Sequence, residues 1–313
     1  MPRESLLAWL RESDPALEWQ VLRDLEDAPA GQVADARSRV AREGVGARVL
    51  SLQNPDGSWS GVAWNHGWDS TMHALTLLRE LGLDPGSEAA GRAVRRVCDQ
   101  VTWRDCGPDE TAHHRFFEGE TEPCINGQVA AAGAYFEVDV TPLIRRLVLE
   151  QQPDGGWNCE AHRSAKSSFN TTICVLEALL EYERGGARDP AVTSARLRGE
   201  DYLLERHLFR RRSTGEPILA DRKGGWQWNR FAFPGWWHYD VLRGLDYLRR
   251  ARVAPDHRTA EAAALIATQC DADGRWNLDT EYPGRTLVEL HEGVGKPSRW
   301  ITLRAMRVLK WFG

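Results

Sequence analysis

The chain has 313 residues, of which 42% are hydrophobic and 27% are charged, a composition typical of a soluble globular protein. Its formal net charge of −5 argues against a nucleic-acid partner, and no apolar run approaches the roughly 18 residues that a bilayer-spanning helix needs. The six cysteines are scattered without a Cys-x-x-Cys pair, and Met1 to Ser5 lack the apolar stretch of a signal peptide. We therefore expect reduced thiols in a cytoplasmic protein.

Apolar residues recur at helical spacing along nearly the whole chain, which predicts an all-α fold. In chain order we expect helices over about 5–10, from Asp14-Pro15, over about 31–53, from Asp69-Ser70-Thr71, over 88–101, over 124–136 and from Thr141-Pro142. Later helices are expected from Asn170-Thr171, from His238, over about 256–269 and over 298–312. Segments 102–123, 158–169 and 213–235 lack this periodicity and are predicted to be loops.

One short sequence motif occurs three times along the chain. Gln53–Trp59, Gln151–Trp157 and Gln269–Trp276 each end a helical segment, turn on Asp-Gly and close on a Trp, the third with one extra residue. Trp59 and Trp157 lie about 100 residues apart, close to two periods of about 50, and a fixed period predicts a repeat architecture. We interpret the three tryptophans as structural, with the Gln bonding backbone groups at a helix end and the Gly taking a positive φ.

This repeated motif resembles the QW motif, Gln-x-x-x-Gly-x-Trp, of the squalene and oxidosqualene cyclases. These cyclases share an α/α toroid with protein prenyltransferase β subunits. The resemblance implies one domain, residues 1–313, in which about six helical hairpins form inner and outer rings. It also implies an isoprenoid or similar apolar small molecule in a central cavity, cyclised or transferred there. The acid motif of the cyclases, Asp-x-Asp-Asp, is missing, so enzyme and non-catalytic binder both stay open.

The N-terminal ends of the inner helices predict where a site lies. In a toroid equivalent ends converge on the central cavity and bring the positive ends of the helix dipoles there. The residues at these ends are Asp69, Cys124, Asn170, His238 and Arg299. We expect Asp69, His238 and Asp240 to carry any catalytic chemistry, and Asn170 and Arg299 to contact the ligand.

Aromatic side chains cluster in one short segment of the second half. They are Trp226, Trp228, Phe231, Phe233, Trp236, Trp237 and Tyr239. Such a cluster can line an isoprenoid site or stabilise a cation over ring faces, so we predict that Trp228, Phe233, Trp236, Trp237 and Tyr239 bind the ligand. The alternative is that the loop packs its aromatic rings onto the helices.

A second resemblance concerns metal. Prenyltransferase β subunits bind zinc through Asp-x-Cys at the start of one inner helix and a His at the start of a later one, and Glu122-Pro123-Cys124 and His238 resemble those places. The resemblance implies zinc held by Cys124 and His238, with Glu122 or Asp69 as the third ligand. The alternative is that Cys124 is a small buried residue and His238 a hydrogen-bonding residue.

Two other classes of function stay open on the sequence alone. A helical toroid can bind a lipid or vitamin-like molecule without catalysis. It can also be a carbohydrate-active α/α barrel, although no pair of catalytic carboxylates can be assigned. Peripheral membrane contact and the oligomeric state are left open.

Overall fold

The computed structural model describes residues 3–103, 114–161, 163, 165–218, 227–291 and 293–313. In chain order its helices are α1 (Arg3–Arg11), α2 (Pro15–Asp24), α3 (Ala30–Arg39), α4 (Gly44–Ser51), α5 (Thr71–Leu81), α6 (Glu88–Gln100), α7 (Pro123–Tyr135), α8 (Thr141–Leu149), α9 (Phe169–Arg184), α10 (Pro190–Leu204), α11 (Val241–Arg250), α12 (His257–Ala267) and α13 (Arg299–Phe312). Within these ranges, no helix combines the length and the apolar character that crossing a membrane requires.

Strand structure is confined, among the described residues, to one short antiparallel pair and a few isolated bridges. In this pair β1 (Thr102–Trp103) runs beside β2 (His114–Arg115), with Thr102 opposite Arg115. A 3-10 helix, Phe116–Glu118, follows directly. Two described parts of the predicted loop over 102–123 therefore pair with each other, and the Trp103 indole N–H also donates to the Phe116 carbonyl at 2.8 Å.

The described residues form two compact units. The first comprises the described parts of 1–45, 203–282 and 289–313, and the second comprises those of 46–202 and 283–288. In the second unit α5, α7 and α9 are buried nearly all round, whereas α6 and α8 between them expose one face. In the first unit α12 is likewise half-exposed between the buried helices α11 and α13. This alternation of buried and half-exposed helices confirms the predicted all-α fold. The assignment of 1–313 to one domain stays a prediction.

The long helix predicted over 31–53 is wrong, because the chain breaks it into α3 and α4. Asp14 explains the break. Its carboxylate accepts the backbone N–H of Ala16 at the start of α2 and that of Val45 at the start of α4, both at 2.8 Å. Gly44 takes a φ of 64°, a left-handed conformation that glycine adopts without strain, and this lets the chain reach Asp14. One side chain thus caps two helices.

The three Gln–Gly–Trp turns, Gln53–Trp59, Gln151–Trp157 and Gln269–Trp276, are built alike. Each indole N–H donates to the backbone carbonyl ten residues earlier, and each Trp backbone N–H donates to a threonine hydroxyl on a later helix. The carbonyls belong to Val49, Leu147 and Ile266, and the hydroxyls to Thr71, Thr172 and Thr302. The Gln amide donates to backbone carbonyls, and the turn Gly has a positive φ. These contacts confirm that the three tryptophans are structural.

A buried charge network joins three parts of the first unit. Arg307 of α13 donates to Asp246 of α11 through Nε at 2.7 Å and also through Nη2. Its Nη1 donates to Gln20 of α2 at 2.9 Å and lies 3.4 Å from Asp24. Burial pushes the pKa of Asp246 up, but the charges of Arg307 and Arg249 outweigh that effect and hold this pKa well below its usual range. Asp246 is therefore an ionised carboxylate at neutral pH.

We expect Thr172→Val to destabilise the protein by about 1–3 kcal/mol, because it leaves the buried backbone N–H of Trp157 without its 3.0 Å acceptor. Thr76→Val on α5 is the matched control. Thr76 is equally buried, and its hydroxyl has no hydrogen-bond partner among the described residues. Its replacement should be neutral or stabilising. Urea denaturation of both variants measures the difference, and equal effects would show that the turn does not depend on the threonine hydroxyl.

We expect Asp246→Asn to lower the free energy of unfolding at pH 7 by about 3 kcal/mol or more, because it leaves the buried guanidinium of Arg307 without its strongest partner. The control is Glu88→Gln, which removes an exposed pair with Arg92 and should cost less than about 1 kcal/mol. Denaturant unfolding at neutral pH compares the two. A loss at Asp246 no larger than that at Glu88 would contradict the network's role.

Candidate functional site

The predicted site residues divide between the two units. The first unit holds Trp228, Phe233, Trp236, Trp237, His238, Tyr239, Asp240 and Arg299, and the second holds Asp69, Glu122, Cys124 and Asn170. Trp226 lies outside the described residues. Convergence of both sets on one cavity stays a prediction.

Asp240 is the buried carboxyl of the first unit. It is the N-cap of α11, where its Oδ1 accepts the Arg243 backbone N–H at 2.7 Å, and its Oδ2 lies 3.5 Å from the Ala232 N–H. Burial raises the pKa of Asp240 to about 6, although these hydrogen bonds and the charges of Arg304 and Arg243 act against the rise. The helix predicted from His238 thus begins at Val241. Asp240, an acidic candidate from the sequence, therefore keeps its proton up to about pH 6.

Three rings stack beside this carboxyl. The centroid of the His238 ring lies 3.6 Å from that of Trp237 on one side and 3.6 Å from that of Tyr282 on the other, with Tyr282 almost parallel at 5°. Burial and the Arg243 charge lower the pKa of His238 to about 3, so its imidazole is neutral. Burial and the nearby Asp240 raise the pKa of Tyr282. The stack is therefore uncharged at neutral pH.

A second aromatic pair lies in the same unit. Phe233 stacks on Trp300 of α13 with centroids 4.6 Å apart, and the guanidinium of Arg304 sits 4.5 Å from the Phe233 ring centroid. His291 bonds the Phe233 carbonyl through Nε2 at 2.6 Å and Ser298 through Nδ1 at 3.1 Å. These contacts hold the aromatic segment against the start of α13.

The turn that carries the rings is held by Arg243. Its Nη1 donates to the carbonyls of Trp236 and His238, both at 2.7 Å, and Trp236 takes a positive φ of 49° within this turn. Trp236 itself is buried, whereas Trp237 is half-buried. Trp237 is therefore the ring of this turn that offers surface to a ligand.

Two of the predicted ligand-binding aromatic residues make packing contacts within the protein. Tyr239 is buried and donates its hydroxyl to the Leu208 carbonyl at 2.7 Å. Trp228 packs edge-on against Tyr239, with centroids 5.5 Å apart. These contacts favour the alternative that part of the aromatic segment packs onto the helices, and ligand contact by Tyr239 and Trp228 stays a prediction.

Asp69 is buried in the second unit and fully bonded. Its carboxylate accepts from Asn65 Nδ2 at 2.8 Å, from Ser60 Oγ at 2.9 Å and from Arg285. Burial alone would raise the pKa of Asp69, but these bonds outweigh it and bring the pKa below its usual value. An ionised, ion-paired carboxylate is suited to hold the loop before α5 in place rather than to donate a proton.

Glu122, Cys124 and Cys159 lie together at the start of α7. Cys124 Sγ is 3.7 Å from Glu122 Oε2, and ligand atoms of the three residues all lie within 4.8 Å of one another. The structure thus brings two of the predicted metal ligands together with a cysteine that the sequence analysis did not name. Metal binding by Cys124 with His238, which belongs to the other unit, stays a prediction.

The two remaining candidates occupy the predicted helix starts. Asn170 is the second residue of α9 and is half-buried. Arg299 is the first residue of α13, and it donates through Nε to the Trp9 carbonyl at 3.0 Å while its guanidinium covers the Trp9 ring at 4.6 Å. Arg299 is thus engaged with α1, a contact that the sequence did not suggest.

The first unit also has an open polar cleft of about 460 Å³. It is lined by Ala8, Arg11, Glu12, Ser13, Asp14, Pro15, Glu18, Arg39 and Glu43. Arg39 is paired with Glu18 and lies 3.5 Å from Glu43, and Asp14 caps two helices. The cleft contains none of the candidate residues, and its charges are largely used in internal pairs.

Sequence reasoning missed Tyr282, Trp300, Arg304, His291 and Cys159. Trp300 follows Arg299 at a predicted inner-helix start, so its position was a usable signal, and Arg304 lies one turn further along the same helix. Tyr282, His291 and Cys159 lie in irregular segments, where no periodicity marks which side chain faces a site.

Among solved structures, those of the type II terpene cyclase MstE from Scytonema are similar to this chain. The apo structure is 17% identical with a TM-score of 0.46, over 98% of this chain and 95% of that chain. A complex with geranylgeranyl dihydroxybenzoate, its substrate, is 16% identical with a TM-score of 0.46, over 99% and 95%. A complex with merosterolic acid A, its product, is 15% identical with a TM-score of 0.47, over 98% and 94%. No protein-family model and no curated protein matches the chain. At these identities and TM-scores, function has to be argued from the residues.

Proposed function

We propose that the protein binds an isoprenoid or similar apolar molecule at the aromatic cluster of the first unit, and that Asp240 donates the proton that starts its cyclisation. The observation that supports this proposal is a buried carboxyl with a pKa of about 6 next to a neutral stack of aromatic rings. The proposal concerns the Asp240 cluster alone, defined by Phe233, Trp237, His238, Asp240, Tyr282 and Trp300.

The carboxyl is suited to the first step. A proton passes from Asp240 to one carbon of an alkene, the π electron pair forms the new C–H bond, and the other carbon becomes a cation. A second alkene of the same chain then attacks this cation and closes a ring, which leaves the positive charge on the other carbon of that alkene. A solvent water takes a proton from the neighbouring carbon, and the C–H electron pair forms the double bond that ends the reaction. The carboxylate left on Asp240 is stabilised by the Arg243 backbone N–H at 2.7 Å and by the charges of Arg304 and Arg243.

The rings supply the second requirement, a surface that stabilises positive charge without reacting with it. Aromatic faces attract cations through their quadrupole, by about 0.5–2 kcal/mol each. Because the His238 imidazole is neutral, it adds no repulsive charge to this surface. Phe233 already carries the guanidinium of Arg304 at 4.5 Å, so this face of the ring is occupied and the substrate cation has to be stabilised by the other rings of the cluster.

The main alternative is a non-catalytic binder. Asp240 has an evident structural role, because its Oδ1 caps α11. In that case the same aromatic cluster binds the apolar molecule, and the carboxyl only holds the helix. A substitution that keeps the cap and removes the acid separates the two functions.

Asp240→Asn is that substitution, since Asn caps a helix about as well as Asp but has no acidic proton. We expect it to keep binding of geranylgeraniol, measured by tryptophan fluorescence quenching, and to abolish cyclised products detected by mass spectrometry. The matched control is Asp256→Asn at the N-cap of α12, which should change neither readout. Full product formation by Asp240→Asn would show that Asp240 is not the acid, and absence of product from the wild type would leave only the non-catalytic binder.

Binding is tested separately with Trp237→Ala. We expect it to weaken geranylgeraniol binding at least tenfold, because a half-buried ring of the Asp240 cluster is removed. The control is Trp64→Ala, since Trp64 is also half-buried and also contacts a histidine ring, His66, with centroids 4.7 Å apart. Equal losses in both variants would show that the ligand does not bind at the Asp240 cluster.

The protonation of Asp240 predicts a pH effect on stability. Its folded pKa of about 6 lies above the usual 3.8, so the folded protein keeps a proton that the unfolded chain releases. Stability should therefore fall as the pH rises through about 4–6, by roughly 3 kcal/mol, relative to Asp240→Asn. Urea denaturation of both proteins at pH 4 and pH 7 measures this difference. An unchanged difference would mean that Asp240 titrates normally and is not the acid.

A further inference from the structure

We propose that Glu122, Cys124 and Cys159 form a binding site for a thiolate-preferring divalent cation, zinc, at the start of α7. The proposal does not rest on the Asp240 cluster, because all three residues belong to the second unit. It assigns Cys124 a different partner from the His238 of the sequence analysis. It also adds Cys159, which lies two residues after the Trp157 turn.

The spacing of the ligand atoms supports the site. Zinc binds thiolate sulfur at about 2.3 Å and carboxylate oxygen at about 2.0–2.2 Å, so tetrahedral ligands lie roughly 3.4–3.8 Å apart. Cys124 Sγ and Glu122 Oε2 are 3.7 Å apart, and no two of the three ligand atoms are more than 4.8 Å apart. Small side-chain rotations would bring the three ligand atoms from this spacing to the spacing of tetrahedral zinc ligands. Two sulfurs and one oxygen leave the fourth position for water or another ligand.

The residues are set in place by the fold. Glu122 is the N-cap of α7 and Cys124 its second residue, so the helix start fixes their backbones. Cys159 follows Trp157, whose indole bond to the Leu147 carbonyl at 2.7 Å anchors that segment. The start of α7 and the segment after the Trp157 turn therefore place their ligand atoms next to each other. Glu122 is exposed and gives a cation an entry path.

Two hydrogen-bonding groups face the sulfur of Cys159. It accepts the Cys124 backbone N–H at 3.4 Å and contacts the Thr171 hydroxyl at 3.4 Å. Zinc binding would release the thiol protons and draw both thiolates and the Glu122 carboxylate onto the metal.

A structural role alone accounts for these contacts less well. A buried cysteine that serves only as a small apolar residue needs no carboxylate next to its sulfur. Here the Glu122 oxygen is within 3.7 Å of one thiol, and a second thiol lies within reach of both. The combination of two sulfurs and an oxygen matches the ligands that zinc prefers among divalent cations.

The test uses the full chain, stripped of metal with a chelator and kept reduced, and titrated with Co²⁺ and then Zn²⁺. We expect one equivalent of Co²⁺ to bind with thiolate-to-cobalt charge-transfer absorption, and Zn²⁺ to displace it. Cys159→Ser and Glu122→Gln should weaken binding by more than 100-fold. Thr171→Val should weaken it about 10- to 100-fold, as loss of a hydrogen bond to a ligand typically does.

Two controls make the result specific. Cys98→Ser removes a free cysteine of α6 and should bind cobalt like the wild type. His238→Gln should also bind like the wild type. Loss of cobalt binding in His238→Gln with retention in Cys159→Ser would overturn the proposal in favour of the Cys124–His238 pair. Absence of the charge-transfer absorption in the folded, reduced wild type would overturn it outright. Circular dichroism checks that each variant is folded.

Discussion

A single hydrogen bond, from a buried indole N–H to the carbonyl ten residues earlier, closes each of the three Gln–Gly–Trp turns of this protein. Trp59, Trp157 and Trp276 all make it, and each also donates its backbone N–H to a threonine of a later helix. An indole has one hydrogen-bond donor, and burying this N–H without an acceptor costs free energy. The position of each buried ring therefore depends on the position of the backbone carbonyl that it bonds. The segments after these turns, including the one that carries Cys159, are thereby fixed.

Helix α11 shows how one short element can carry two carboxyls of opposite character. Asp246 faces Arg307 and Arg249 at hydrogen-bond distance and stays ionised. Asp240 is as deeply buried, but among the described residues it receives backbone N–H groups and no direct guanidinium bond, so burial prevails and its pKa rises to about 6. The difference lies in which groups face each oxygen. One carboxyl therefore serves stability, and the other is available for proton transfer.

Much of the fold follows from patterns within the chain. Period, caps and turn residues predict most helix starts to within a few residues, because these signals are local. The break between α3 and α4 escaped prediction because it depends on Asp14, whose carboxylate caps α4 from a position 31 residues before Val45. The site was less predictable for the same reason. Asp240 and Cys124 lie at helix starts that the pattern marks, whereas Tyr282 and Cys159 reach their partners from irregular segments through tertiary packing alone.

The network around Arg307 has a consequence for the order of events during synthesis. Arg307 lies 283 residues after Asp24, and both belong to the first unit, as does Gln20. At roughly 5–20 residues per second, the ribosome makes Asp24 about 15–60 s before its partner exists. The second unit, by contrast, draws nearly all of its residues from one continuous stretch, 46–202. Asp24 and Gln20 of the nascent chain must therefore wait for their contacts with Arg307 until α13 emerges.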